Sequence, residues 1–403
     1  MQMNIGRSML LILLACASSP AQQDSRTDEI EAARSQKQQN LQPPENPTLE
    51  NVIVDAEKNV VYRLLTSTEG PGIGFGQMVP GAGFSTNLRY QKTLLDGHLR
   101  LGGFLDGSTK EYYLARFTAS VTNLWDDRGQ VNFSATHSDF PQMPYYGPGP
   151  ESRKSVRSDY RLETTDVEIR PTLRPVRHLV LGLIGGFEAI NVGPGTASRY
   201  ISTDLQYDPT AAPGIQQQTN YLQGGAFVGY DWRDHPGDPT FGGRYFAEYS
   251  KLSDIDVGLY SFYRVNFDAR QYIPLFHRKR VIALRGATWL TDTSRNEQVP
   301  FYMDSTLGGP DSLRGFRPFR FYDNDAVLIQ GEYRWEASTI LDLALFADGG
   351  KVFHNWNQWN LSRIEGDFGF GLRFKTQAKV AFRIDTAFSH EGFQICFRAN
   401  NAF

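Results

Sequence analysis

The feature that most restricts the fold of this chain is an alternation of apolar and polar residues with a period of two. Near the C-terminus, Phe393, Ile395, Phe397 and Phe403 share one parity, whereas Arg398 and other polar residues take the opposite parity. Such alternation is typical of a β-strand with one apolar and one polar face. The pattern recurs from about residue 71 and predicts sixteen strands, near 72–79, 82–92, 97–107, 111–124, 128–140, 159–173, 178–191, 220–233, 241–253, 257–273, 280–291, 326–337, 340–354, 364–375, 378–390 and 393–403.

The lengths of the connections distinguish a soluble β-sandwich from a membrane barrel. On one side the predicted connections are short, at 125–127, 174–177, 234–240, 274–279, 338–339 and 376–377. On the other side they include long loops, at 141–158, 192–219 and 292–325. Short turns at one end, long loops at the other and an even number of strands are typical of outer-membrane barrels, whose short turns are periplasmic.

The sequence therefore predicts an all-β fold, a 16-stranded antiparallel transmembrane β-barrel over residues 71–403. Its apolar face would contact outer-membrane lipids, and its polar face would line the lumen. An open sheet edge in lipid leaves backbone groups unpaired, so we expect the sheet to close on itself. The expected location is the outer membrane of a Gram-negative-type bacterium.

Residues 1–21 are typical of a signal peptide. Arg7 supplies a positive charge, residues 9–15 form a short apolar stretch, and small residues follow. Two processing routes fit this segment. An ordinary signal peptidase would cleave after one of the small residues, whereas a lipobox interpretation would leave Cys16 as a lipidated N-terminus.

Residues 22–70 are interpreted as a periplasmic tail. Its first part, residues 22–50, contains no Phe, Tyr or Trp and is rich in Gln, Glu, Asn and Pro. Such a segment buries too little apolar surface to offset its ordering entropy, so we expect it to be largely disordered.

Composition excludes several classes of protein. The net charge of -3 gives no indication of a nucleic-acid partner. Cys16 and Cys396 are the two cysteines, too few for a disulfide-stapled secreted scaffold.

No motif predicts a metal, a cofactor or catalysis. Asp231, Asp234, His235 and Asp238 lie close together, but in a predicted short turn, where Asp and Pro are favoured for backbone reasons. The other histidines show no metal-ligand spacing. Serines are plentiful, yet none is marked out as a nucleophile with a base and an orienting group. The chain is therefore predicted not to be an enzyme.

The long loop at 292–325 contains an arginine among aromatic residues, in the segment Leu313-Arg314-Gly315-Phe316. Strand parity in the next two strands points Glu332 and Asp348 into the lumen. Counting from the turn between these strands places Glu332 opposite Phe346 and Asp348 opposite Gln330. The two acids would then lie about 7 Å apart along the strand direction. A folded-in loop could place the Arg314 guanidinium between them, since its planar fork suits bidentate bonds to carboxylates.

This combination resembles the barrel of the BamA/TamA superfamily, also called the bacterial surface antigen barrel. The matching pieces are Leu313-Arg314-Gly315-Phe316, the inward Glu332, and Phe346-Ala347-Asp348-Gly349-Gly350. The resemblance implies that the sixth extracellular loop folds into the lumen and that the acids of the strands hold Arg314. We expect Gly315 to allow a tight turn and Phe316 to pack on the inner wall.

The resemblance also implies a C-terminal sorting signal, formed by Phe393, Ile395, Phe397 and Phe403. Members of the superfamily usually carry periplasmic POTRA modules, and residues 22–70 are too short for one. Either a separate periplasmic chain would then supply that platform, or this member has a function that needs none.

Two functions fit this sequence. The first is assembly, insertion or translocation of proteins, with client outer-membrane or secreted proteins entering at the seam between the first and last strands. The glycines Gly72, Gly74 and Gly76 in the first strand favour a weak seam. The alternative is a passive pore or structural barrel that kept the fold without insertase activity.

Overall fold

The computed structural model describes one unit of the chain, Leu64–Phe403, through residues 64, 67, 69–76, 78–276, 279–375, 380–398 and 403. The predicted signal peptide, Cys16 and most of the tail lie outside the described residues. The wall of the barrel consists of sixteen strands: β1 (Gly70–Phe75), β2 (Ser85–Leu94), β3 (Leu99–Ser108), β4 (Tyr113–Leu124), β5 (Gly129–Tyr145), β6 (Ser158–Leu173), β7 (Leu179–Pro194), β9 (Tyr221–Asp231), β10 (Gly242–Asp254), β11 (Phe262–Leu275), β12 (Arg280–Thr293), β15 (Asp325–Ser338), β16 (Leu341–Phe353), β17 (Glu365–Lys375), β18 (Val380–Ser389) and β19 (Gly392–Arg398).

Three short strands lie outside this wall. They are β8 (Ile201–Ser202), which runs parallel to β6, and the pair β13 (Ser305–Leu307) and β14 (Phe321–Asp323). A single α-helical turn, α1 (Thr203–Gln206), follows β8 among the described residues. No helix in the described part of the chain is long and apolar enough to cross a membrane.

Antiparallel ladders join each wall strand to the next along the chain, from β1 through to β19. The predicted number of strands and their antiparallel order are confirmed. The ends of the first two strands differ from the prediction, because β1 stops at Phe75 and β2 starts only at Ser85. Gly76, Gly81 and Gly83 have positive φ angles and form the turn between them.

The exposure of the two faces of the wall is reversed relative to a soluble protein, because apolar side chains are exposed and charged side chains are buried. On β16, Leu345 is 62% exposed, whereas Phe346 and Asp348 are buried. On the neighbouring strands, Arg373 and Arg383 are fully buried. Charged residues are seldom fully buried unless they are paired, and a face of exposed apolar side chains is stable when lipid covers it. The apolar face therefore points outward and the charged face lines the lumen.

Phe403 departs from the predicted pattern of the last strand. Phe393, Ile395 and Phe397 are exposed on the outer face, but Phe403 is 5% exposed and buried. It packs in a small cluster with Tyr272 of β11 and with two residues of β12, Val281 and Ala283. This apolar patch gives the aromatic ring a buried position, so residue 403 does not continue the outward face of β19.

The long loop between β12 and β15, residues 294–324, is called the inserted loop below. The sequence shows no strand pattern there, yet β13 and β14 pair as a small antiparallel sheet, with Ser305 opposite Asp323. Leu313, Phe316 and Phe321 of this loop pack against the inner wall in a cluster whose wall members are Ala287, Ala326, Leu328 and Val352. The loop is therefore folded into the lumen, as predicted.

A second cluster, the aromatic cap, lies at the end of the barrel that carries the long loops. Its central members are Tyr145, Tyr160, Phe301 and Tyr322, all buried. The ring of Phe301 lies 5.0 Å from that of Tyr145 and 4.8 Å from that of Tyr160, measured between centroids. Edge-on aromatic packing of this kind stabilises the cap and fills that end of the barrel.

Candidate functional site

Arg314 of the inserted loop lies at the centre of a buried charge cluster. Its Nε and Nη2 atoms donate to the two carboxylate oxygens of Asp348, each at 2.7 Å. Its Nη1 donates to Glu332 at 2.9 Å. All three side chains are fully excluded from solvent. The guanidinium thus forms a bidentate, charge-assisted pair with one strand and a single bond with the next.

The wall positions these acids as strand counting predicts. Glu332 of β15 lies opposite Phe346 of β16, and Asp348 lies opposite Gln330. This predicted register is confirmed. The Phe346 ring supplies a further contact, because its centroid lies 3.4 Å from the Arg314 guanidinium carbon. Stacking on an aromatic face suits arginine, whose delocalised cation is weakly hydrated.

The cluster extends beyond the residues that the sequence singles out. Glu332 accepts a second bond from Arg373 at 3.0 Å and a third from Arg334 at 3.0 Å. Arg373 in turn donates to Asp385 at 2.5 Å. Strand alternation places Arg373 and Asp385 on the polar face, but it does not show that they share the carboxylate of Glu332.

Gly315 and Phe316 fix the path of the loop beside Arg314. A Cβ atom at Gly315 would lie 2.6 Å from the Asp367 Cβ, so the loop approaches β17 too closely for any side chain. Ser389 of β18 donates to the Gly315 carbonyl oxygen at 2.8 Å. Phe316 is buried and packs edge-on against Phe321, with 5.2 Å between ring centroids. We call Arg314, Gly315, Phe316, Glu332 and Asp348 the loop lock.

The acidic turn between β9 and β10 is held by its own backbone. Asp234 accepts hydrogen bonds from the backbone N–H groups of His235 and Thr240, at 2.9 and 3.0 Å. Burial raises the pKa of Asp234, but the hydrogen bond from the Thr240 hydroxyl, followed by these backbone bonds, outweighs burial and holds the pKa below its ordinary value. The carboxylate therefore stabilises the turn. The described residues contain no group of three or more His, Cys, Asp or Glu side chains arranged to hold a metal ion.

The chemistry of the loop lock is electrostatic. It contains an arginine, two carboxylates, a glycine and one aromatic ring, and none of these is a nucleophile paired with a base. Such a cluster can hold or release a loop. A barrel with a lipid-facing exterior, a charged interior and a loop held inside by an ion pair is a transmembrane β-barrel of the outer-membrane class.

The Omp85 superfamily domain matches residues 105–397, which is more than half of the chain. The chain belongs to this superfamily. The predicted resemblance to BamA and TamA is thereby confirmed, and barrels of this family are outer-membrane proteins for protein insertion or translocation. A comparison with curated proteins gives no match.

Two solved structures share the fold. BamA from Haemophilus ducreyi, in a crystal structure lacking POTRA domains 1-3, is 16% identical, with a TM-score of 0.60 over 82% of this chain and 69% of that chain. CdiB from Escherichia coli is 11% identical, with a TM-score of 0.51 over 85% of this chain and 70% of that chain. At these identities the likeness concerns the fold alone.

Proposed function

We propose that this chain assembles or translocates proteins at the outer membrane by opening the seam between β1 and β19. The observation that supports this proposal most is the pairing of the two seam strands. Within the described residues, β1 is in register with β2 and β19 with β18, and no ladder links β1 to β19. Unpaired strand edges in a membrane leave backbone N–H and C=O groups without hydrogen-bond partners. A client strand that pairs with the edge can supply those partners.

One of the two seam strands is also short. β1 has 6 residues, whereas β5 has 17. A short strand offers few ladder hydrogen bonds, so separating the seam costs less free energy than separating any pair of long wall strands. The weakest line in the wall therefore lies where a client would enter.

The filled interior argues against the passive-pore alternative. The aromatic cap, defined above, packs across the end with the long loops, and the inserted loop occupies the lumen. A passive pore needs a continuous water path, and here buried Phe301 and Tyr322 lie in its place. In our proposal the loop lock keeps the inserted loop inside the lumen, and a separate periplasmic chain delivers unfolded outer-membrane or secreted clients.

Photo-crosslinking tests the proposal. A photoreactive amino acid is placed at Phe75 on β1, at Ile395 on β19, or at Leu183 on β7, all of which are exposed on the outer face. The full chain is reconstituted in liposomes and supplied with an unfolded outer-membrane barrel protein held by a chaperone. We expect adducts to the client from the two seam positions and none from Leu183, together with faster folding of the client than in empty liposomes.

The opposite result identifies the alternative. Equal or absent adducts from the three positions, with no acceleration of client folding, would contradict the proposal. Passage of small solutes through the same liposomes would then favour the passive pore.

A further inference from the structure

The last hairpin, β18–β19, is held from inside the barrel by the inserted loop. Three of these contacts lie near the loop lock: Ser389 donates to the Gly315 carbonyl, Cys396 lies 3.8 Å from the Arg314 carbonyl oxygen, and the His390 and Phe316 rings are 5.4 Å apart. The loop therefore contacts both strands of the hairpin and the turn between them. Because the other edge of β19 has no ladder among the described residues, these contacts fix much of its position.

A further contact ties the same loop to the turn of the last hairpin. Arg320, which is almost fully buried, donates through Nε to the Glu391 carboxylate at 2.8 Å. Its Nη1 donates to the hydroxyl oxygen of Ser152 at 2.9 Å, and its Nη2 donates to the backbone carbonyl oxygen of the same residue at 2.6 Å. Ser152 lies in the loop after β5. The turn before β19 is thus held to two other loops at the same end of the barrel.

At the opposite end of β19, one side chain crosses the seam. Arg398 donates through Nη1 to the backbone carbonyl of Met78 at 2.9 Å, and Met78 lies in the connection that follows β1. The other terminal nitrogen of Arg398, Nη2, forms an ion pair with Asp311 of the inserted loop. One guanidinium therefore joins the last strand, the connection after the first strand and the loop.

Asp311 is placed for this contact by the cluster around the loop lock. It lies three residues before Arg314, and its carboxylate also accepts a bond from Arg383 of β18 at 3.2 Å. Its backbone carbonyl accepts from Arg285 of β12 at 3.1 Å. The planar guanidinium of Arg398 can donate to a carbonyl and a carboxylate at the same time only while both acceptors are held at the correct angle.

We propose that Arg398 is a clasp across the seam and that Asp311 is the positioning residue that orients it. The clasp adds a contact across the seam, where the described residues of β1 and β19 share no ladder. It couples two events, because release of the inserted loop removes Asp311 and leaves Arg398 free to leave the Met78 carbonyl. The seam is thus closed while the loop lock is closed, and it loosens when the loop lock opens.

Distances between spin labels test the clasp directly. Labels are attached to cysteines introduced at Phe75 and Ile395 in a full-length chain in which Cys16 and Cys396 are replaced by serine. The protein is measured in phospholipid nanodiscs without any client. We expect a narrow distance distribution in this background. Arg398→Ala should lower the ratio of closed to open seam about tenfold, as expected for loss of a charged hydrogen bond.

Matched variants separate the clasp from general damage. Asp311→Asn should broaden the distribution as Arg398→Ala does, and the double variant should add nothing further, because the two residues act as one unit. Arg398→Lys keeps the charge but not the fork and should recover only part of the closed population. Arg161→Ala, which removes another arginine–aspartate pair on the outer face of β6, should leave the distribution unchanged.

Unchanged distances in Arg398→Ala would overturn the clasp, and additive effects of Asp311→Asn and Arg398→Ala would overturn the coupling to the loop. Folding is judged by heat-modifiable gel migration. If Arg398→Ala does not fold, unchanged distances in both Asp311→Asn and Arg398→Lys would overturn the clasp instead. Because no client is present, these results do not depend on whether the barrel inserts proteins. The two proposals can therefore fail separately. If the spin-label distances respond to Arg398→Ala but the crosslinking experiment gives no client adducts, the clasp is supported and the proposed function is contradicted.

Discussion

At Gly315, the inserted loop passes so close to the wall that a side chain has no space. The Cβ atom of any other residue would lie 2.6 Å from the Asp367 Cβ and 3.1 Å from the Ser389 Cβ. Gly315 is not among the glycines with a positive φ, whereas Gly308 and Gly309 of the same loop are. Glycine is therefore required at this position because there is no space for a side chain. The sequence predicts a different reason, namely that glycine allows the backbone to turn tightly.

The strength of the loop lock resides in Arg314. Arg314→Ala would leave the buried carboxylates of Asp348 and Glu332 without their shared donor. Removal of one partner of a buried ion pair typically costs about 3–5 kcal/mol. The ladders of the wall do not depend on this contact, so we expect the barrel to assemble while the inserted loop leaves the lumen.

Limited trypsin digestion of the folded protein measures this release at the bond after Arg320, because Arg320 is almost fully buried while the loop is in the lumen. Cleavage after Arg320 should be fast in Arg314→Ala, slower in Arg314→Lys and absent in the unmodified chain. Lysine keeps the charge but cannot form the bidentate pair with Asp348. If cleavage of Arg314→Ala is as slow as that of the unmodified chain, the loop is held by its apolar contacts and not by the lock.

The small sheet of β13 and β14 links the inserted loop to the loop after β16. His354 follows β16, and its Nδ1 lies 3.3 Å from a carboxylate oxygen of Asp323 in β14. The hydrogen bond to Asp323 raises the pKa of His354 above its ordinary value, with a smaller contribution from Asp325, although burial opposes the shift. Protonated His354 therefore stabilises the contact between the two loops.

The sign of the pH dependence follows from this shift. A histidine with a raised folded-state pKa contributes its full stabilisation below its unfolded pKa and loses it as pH rises through the folded value. Hydrogen exchange at 305–307 and 321–323 should therefore quicken between about pH 6 and about pH 8. The His354 side chain is largely exposed, so the effect should stay below about 1 kcal/mol.

His354→Gln should remove this extra pH dependence once the intrinsic exchange rates are subtracted. His235→Gln, in the turn between β9 and β10, is the matched control and should leave it unchanged. A pH dependence that persists in His354→Gln would assign the titration to another group of the loop.

Some elements could be predicted from the sequence because they depend on local pattern. The parity of Glu332 and Asp348 and the length of one turn suffice to place both acids in the lumen and to fix their register. The pairing of Arg398 with Asp311 and Met78 could not be predicted, since it depends on how the two ends of the wall meet. The burial of Phe403 likewise depends on an apolar patch on β11 and β12, far away in sequence.

Charged side chains of β15, β16, β17 and β18 line the lumen, whereas the exposed apolar side chains of these strands face outward. Buried arginines pair with carboxylates of neighbouring strands, as Arg373 does with Asp385, and with the inserted loop, as Arg383 does with Asp311. Desolvating these charges costs free energy, which the ion pairs and hydrogen bonds offset. Among the described residues, antiparallel ladders join each wall strand to the next from β1 to β19.

The orientation of the barrel in the membrane gives the last prediction. Even numbers of strands, short turns and long loops imply that the long loops face the cell exterior. We introduce a cysteine at Leu205, an exposed residue of α1 in the loop between β7 and β9, or at Lys279, an exposed residue of the short turn between β11 and β12. Cys396 is replaced by serine, because it is the one free cysteine among the described residues.

A membrane-impermeant maleimide should label the Leu205→Cys protein on intact cells. It should label the Lys279→Cys protein only after the outer membrane is permeabilised. The reverse labelling would place the short turns outside the cell and invert the barrel, and with it the side from which clients and a periplasmic partner reach the seam.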